Sequence, residues 1–256
     1  MKPWETLWPV ASGLEIAIQP EEVHLWLVDL ALSAEYVRRL AGYLSVDEQT
    51  RAARFHFSRD RDQFIIAHAV LRLLLARYCQ LEAAQVRFVV NAYGKPALAQ
   101  SGELPILHFN LSHSHGYALI ALTWLCEHGV DIEYMRSNVE HTELATHFFS
   151  PRENAVLRAL PEELQADGFF HAWTRKEAYI KARGKGLSLP LDQFDVSLHP
   201  DEAAALLEVR DAELDVTTWS MYALSMPAGY KAALALPARN VSLRCWRWNA
   251  GLPLQE

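Results

Sequence analysis

Two stretches of this sequence echo each other across the chain. GYALIAL begins at Gly116 and GYKAALAL at Gly229, while LVDL at Leu27 and GVDI at Gly129 each carry Val-Asp; both spacings are a little over a hundred residues. Every member of the echo reads as a strand, and each half of the chain runs strand, helices, strands. Such an order is expected to give an α+β pseudodimer of two similar subdomains, residues 1–125 and 126–256, with no flexible linker between them. A pocket is then expected at their junction.

Local signals fill in the halves. His24 to Leu30, HLWLVDL, is an apolar run of strand formers and reads as the first strand. Before it, Pro3, Trp4, Trp8, Pro9 and Pro20 follow no period, so a coil packing its tryptophans across the fold is expected. Ser33 caps a short helix, and Ser45 with Glu48 forms a capping box for the next, which carries Arg51 and Arg54. Ser58 to Tyr78 reads as one long apolar helix. Val86 to Val90 reads as a strand and Asn91 to Pro96 as a turn. His108 to Thr123 reads as a strand, a polar turn holding Ser112, His113, Ser114 and His115, and a second strand. Ser150 to Glu153 opens a helix that Pro161 stops; the helix through Trp173 is closed by Gly184, and the remainder is β-rich.

Composition removes several classes. A formal net charge of -7 gives no global field for nucleic acid or an anionic membrane. No apolar run approaches the roughly 18 residues that span a bilayer, and MKPWETLWPV lacks the order of a signal peptide. A cytoplasmic protein with no membrane and no nucleic-acid partner is expected. Cys79, Cys126 and Cys245 are odd in number and widely spaced, which argues against a disulfide framework or a zinc site.

The chemistry-bearing residues fall in two acidic groups and a set of cations. In WTRKEAYIK, Trp173 to Lys181, Glu177 and Lys181 share one helix face, one turn apart. In HGVDIEY, Asp131 and Glu133 at i and i+2 point to one face of a strand, where they repel unless a cation lies between them. Oxygen ligation by Asp131, Glu133 and Glu177 suits Mg²⁺, whose remaining ligands are commonly water and phosphate. The plainer alternative for Glu177 and Lys181 is an ion pair on an exposed helix. Arg72, among leucines, needs an anionic partner or a path to water. Lys95, held at a turn by Gly94 and Pro96, is a phosphate contact or a solvated loop residue, and the Ser112 and His113 side chains suit an anion.

NAYGKP at 91, FNLSHS at 109, GVDIE at 129 and WTRKEAYIKARGKGLSLPL at 173 resemble, in order and spacing, the signature blocks of the 4'-phosphopantetheinyl transferases of the surfactin-synthetase-activating (Sfp-like) type. The resemblance spans about Arg51 to Phe194. It implies a monomeric pseudodimer that uses Mg²⁺, with Mn²⁺ as a substitute, to move the phosphopantetheine arm of coenzyme A onto a serine of an apo acyl or peptidyl carrier protein. It also implies roles: Asp131, Glu133 and Glu177 hold the metal; Glu177 and Lys181 are catalytic, Lys181 lying near the pyrophosphate; Lys95, Ser112 and His113 meet the 3'-phosphate end of coenzyme A. Arg72 matches a residue of the nucleotide site, and Arg54 and Arg59 are candidates for the phosphate clamp. Three features depart from the family: Ser58 replaces a frequent basic residue, His115 replaces a frequent glycine, and the first twenty residues match no block. Two other readings share these residues, a coenzyme A or carrier-binding module without chemistry and a Mg²⁺-dependent phosphohydrolase. Asn138 to Phe149 is the expected carrier-docking segment.

Overall fold

The computed structural model describes residues 3–11, 17–99, 106–136, 140–211 and 214–249. The first half of the chain contributes α1 (Pro3–Leu7), β1 (Glu22–Asp29), α2 (Ala34–Ala41), α3 (Val46–Ala52), α4 (Ser58–Cys79), β2 (Phe88–Val90), β3 (Pro96–Leu98), β4 (His108–Ser114) and β5 (Tyr117–Thr123). The second contributes β6 (Gly129–Tyr134), α5 (His141–Phe148), α6 (Pro151–Ala159), α7 (Glu162–Arg183), β7 (Phe194–Val196), β8 (Leu206–Val209), β9 (Ser220–Ala223), β10 (Tyr230–Leu236) and β11 (Ser242–Arg247).

Strands are apolar on both faces wherever both faces are covered. In β1, Val23, Leu25 and Leu27 enter a core shared with the second half, while Trp26 and Val28 enter a core built with α2 and α4. The echoed strands β5 and β10 repeat this division. Leu119 and Ala121 of β5 and Ala232 and Leu234 of β10 meet in the shared core; Ala118 and Ile120 face the α4 side, and Ala233 and Ala235 face α7. The sheets run β11-β1-β5-β4 and β6-β10-β9, so β1 with β5 and β6 with β10 are the two equivalent antiparallel pairs. This is the α+β pseudodimer expected from the echo.

The two sheets are joined by side chains. Asn110, Ser112 and Ser114 alternate along β4 and accept hydrogen bonds from the backbone N–H groups of Val130, Ile132 and Tyr134 in β6, at 2.9, 3.4 and 3.1 Å. Polar residues at period two therefore satisfy an edge that has no backbone partner there. The expectation that Ser112 to His115 form a turn is corrected: β4 continues to Ser114, and the turn is His115 and Gly116, with His115 at φ 54. Its cause is the same alternation, which keeps both serines extended toward β6.

Local capping falls where expected. Ser45 with Glu48 and Ser150 with Glu153 each form a reciprocal capping box. α7 starts earlier than its Trp173 core suggests and tolerates Gly168 within it because a Cβ there would stand 2.5 Å from Leu160 Cδ1. Pro3 to Leu7 forms a short helix instead of coil, and the strap after it buries Trp8 with its indole N–H donating to the Ser225 carbonyl at 2.6 Å. The chain after residue 126 does not remain in one half, because β11 returns to pair in parallel with β1.

Candidate active site

The site begins where α7 lies against β6. Gly129 makes this contact possible: a Cβ there would lie 2.1 Å from the Ala178 carbonyl oxygen and 2.7 Å from Lys181 Cβ. With the helix that close, Lys181 Nζ donates to Asp131 Oδ1 at 2.6 Å and to Ser112 Oγ at 2.9 Å, and Ser112 Oγ donates to the same Asp131 oxygen at 2.8 Å. One lysine, one hydroxyl and one carboxylate from three elements thus close a triangle. Ser114 Oγ donates to Glu133 Oε2 at 2.7 Å, so β4 holds both carboxylates of β6.

The electrostatics are those of crowded acids. Burial pushes the Glu133 carboxyl above the usual range, and Asp131 pushes it further. Glu177 is raised by burial too, with Asp131 and Glu133 adding repulsion and Lys181 opposing it. Asp131 is almost wholly buried, and its Oδ2 has no hydrogen-bond partner. A buried orphan carboxylate oxygen beside two destabilised carboxylates is the donor set a hard divalent cation relieves. Among the described residues, no three His, Cys, Asp or Glu side chains are already gathered into a metal-binding group. The oxygen donors fit Mg²⁺ in kind, while Lys181 and the two serines hold Asp131 and Glu133.

A cavity of about 280 Å³ opens beside this group, lined by Tyr93, Lys95, Asn110, Glu177, Lys181 and Gly186 among others. Asn91 frames its mouth: Oδ1 accepts from the Tyr93 and Lys95 N–H groups, both at 2.9 Å, and Nδ2 donates to the Gly184 carbonyl at 2.8 Å. The turn of the first half is thereby tied to the end of α7. Lys95 Nζ donates to Glu127 and, at 3.1 Å, to the His128 carbonyl.

Of the expected site residues, Asp131, Glu133, Glu177, Lys181, Ser112 and Lys95 come together. His113, between Ser112 and Ser114 on β4, is reached by solvent on one side, and its pKa is lowered by partial desolvation and by the charges of His68, Lys181 and Arg51. Arg51 of α3 lays its guanidinium over the Phe64 ring at 5.1 Å, and its charge is felt at His113.

Arg72, expected at the nucleotide site, is engaged within the first half of the chain. It is 3% exposed, and its guanidinium donates to Glu48 at 2.5 Å and to the Ala83 and Val86 carbonyls at 3.1 Å. Against burial, His68, Ser45 and Arg72 hold the Glu48 carboxyl down to about 2. Arg72 lines a larger cavity, about 840 Å³, but none of the three carboxylates does, so the smaller cavity is the candidate site. Arg54 and Arg59 are exposed, and Arg59 pairs with Asp60 at 3.3 Å. Of the expected docking segment, residues 138 and 139 lie outside the described residues, and the rest includes α5 with Phe148 exposed.

Comparison with known proteins agrees with this geometry. The model of the 4'-phosphopantetheinyl transferase superfamily matches residues 127–235, and that of the 4'-phosphopantetheinyl transferase N-terminal region matches residues 32–124. The chain is 36% identical to the 4'-phosphopantetheinyl transferase HetI of Nostoc sp., over 91% of this chain and 95% of that one. It is 36% identical to the 4'-phosphopantetheinyl transferase Sfp of Bacillus subtilis, over 68% of this chain and 75% of that one. With the human L-aminoadipate-semialdehyde dehydrogenase-phosphopantetheinyl transferase it shares 30% identity, over 60% of this chain and 52% of that one.

Proposed function

The chain belongs to the 4'-phosphopantetheinyl transferase superfamily, and from that premise we propose that it transfers the phosphopantetheine arm of coenzyme A to a serine of an apo acyl or peptidyl carrier protein. The observation that carries the reading is the convergence of Asp131, Glu133, Glu177 and Lys181 on the seam between the halves, beside a cavity that also holds Lys95.

Asp131, Glu133 and Glu177 would hold Mg²⁺, with Mn²⁺ as a substitute. When bound, the ion neutralises these carboxylates and offsets the charge that gathers on the diphosphate. The residues of the chain supply the rest. Glu177 takes the proton from the carrier serine hydroxyl as its oxygen forms a bond to the β-phosphorus of coenzyme A. The bond to the departing adenosine 3',5'-bisphosphate breaks, and Lys181 stabilises the charge on that group. Lys95 and His113, with Arg51 nearby, meet the phosphates of the nucleotide end, while Ser112 fixes the Asp131 carboxylate and the Lys181 ammonium relative to each other.

The echoed halves are already paired through their shared core, which supports a monomer. Among the described residues no helix is long and apolar enough to cross a membrane. The carriers the enzyme would meet are those of fatty acid, polyketide or peptide synthases in the cytoplasm. The exposed Phe148 on α5, packed edge-on against Trp173 at 5.8 Å, is the proposed carrier contact. A module without chemistry finds no support, since it has no use for three adjoining carboxylates. The test is Glu177→Gln, which is expected to keep coenzyme A binding and lose turnover by about 10² to 10⁴ fold; unchanged turnover would remove Glu177 from the mechanism.

A further inference from the structure

Lys95 enters the cavity already engaged. Its side chain is only 12% exposed, and its ammonium rests on the Glu127 carboxylate and the His128 carbonyl. Glu127 is 48% exposed, and its other oxygen pairs with His108 Nδ1 at 3.0 Å. Three residues from three segments thus fix one cation: His108 at the start of β4, Glu127 in the connection before β6, and Lys95 at the turn before β3. Neither Glu127 nor His108 lines the cavity, whereas Lys95 does.

We propose that Glu127, held by His108, is a positioning residue that keeps the Lys95 ammonium at the cavity wall and must give it up when a phosphate of coenzyme A binds. The inference rests on the transferase reading above for the identity of the ligand. Burial lowers the Lys95 pKa, and the hydrogen bond and charge of Glu127 oppose that shift. The cost falls on binding, because an arriving phosphate meets the Glu127 negative charge and must exchange for it on Lys95. A multiply charged phosphate wins that exchange where a singly charged anion does not, so the pair biases the cavity toward phosphate-bearing ligands.

Removing the carboxylate while keeping shape and hydrogen bonding isolates this effect. Glu127 is half exposed, so Glu127→Gln leaves the fold intact, which a melting temperature checks. The Kd of coenzyme A, by calorimetry with Mg²⁺, is expected to fall about three- to tenfold in Glu127→Gln, with the KM following and kcat moving much less. Competition by chloride, absent in the parent protein, is expected to appear in the variant. In the Lys95→Ala background the same substitution is expected to give no gain. An unchanged or weakened Kd in Glu127→Gln, or a gain that persists without Lys95, would overturn the inference. Because binding is measured apart from turnover, a protein that binds coenzyme A but loads no carrier counts against the transferase reading alone; one that binds no coenzyme A overturns both.

Discussion

Gly129 lies so close to Ala178 that the strand bearing Asp131 and the helix bearing Glu177 and Lys181 touch backbone to backbone. The site is as narrow as this contact allows. Gly129→Ala is expected to force α7 outward, since the nearest atoms are main-chain and cannot turn aside. The expected cost is about 1–3 kcal/mol of stability by urea denaturation, with a larger loss of turnover as Lys181 leaves Asp131. A variant of full activity would show that α7 accommodates the methyl group.

Lys176, beside Glu177 in sequence, points away from the site and is buried with Glu153. The two meet at 2.7 Å, and the ammonium also donates to the Leu191 and Phe194 carbonyls at 2.7 and 2.6 Å. Burial pushes both groups toward their neutral forms, Glu153 upward and Lys176 downward. Lys176→Met leaves Glu153 without its cation and is expected to cost about 3–5 kcal/mol in denaturant titration. A loss under 1 kcal/mol would contradict the role given to the pair.

The Asn91 amide bonds to the Gly184 carbonyl across the mouth of the cavity. Asn91→Ala is expected to raise the KM for coenzyme A roughly three- to tenfold while kcat changes little, because one positioning hydrogen bond is lost on the binding side. Steady-state kinetics at saturating carrier reads this directly; a fall in kcat at constant KM would place Asn91 in the chemical step instead.

Acid sensitivity should come in two steps. His128 is fully buried, and burial lowers its pKa to about 4, below the ordinary 6.5. The folded state thus binds this proton less readily than the unfolded chain, so stability is full above pH 6.5 and falls as pH drops toward 4, by about 3 kcal/mol in all. Glu48 and Glu127, both held down to about 2, add losses between pH 4.5 and 2. Denaturant midpoints measured from pH 7.5 to 4.5 check the first step, and His128→Asn is expected to shrink it without abolishing it, because burial lowers His171 to about 4 as well. A curve independent of pH across that range would contradict the assignment.

Much of this architecture was legible because its signals are local. Capping boxes at Ser45 and Ser150 need only four residues each, and the i to i+4 spacing of Glu177 and Lys181 defines a helix face without reference to the fold. The echo between Gly116 and Gly229 placed the equivalent strands β5 and β10 because burial on both faces demands the same apolar run twice. What escaped depends on distant partners. Arg72 among leucines fits a ligand or a strut equally well until Glu48, 24 residues away, is seen to meet it. Ser112 and Ser114 look like idle polar groups until β6 presents its unpaired N–H groups. The return of β11 to β1 joins the two ends of the chain and leaves no mark in either strand.

Incubating an apo carrier protein with coenzyme A, Mg²⁺ and this protein, then measuring the intact mass of the carrier with a chelator control, reads the transfer itself. A gain of one phosphopantetheine on the carrier serine is expected, lost with the chelator and lost again in Glu177→Gln. No gain on acyl or peptidyl carriers, with coenzyme A binding demonstrated in the same sample, would contradict the transferase reading.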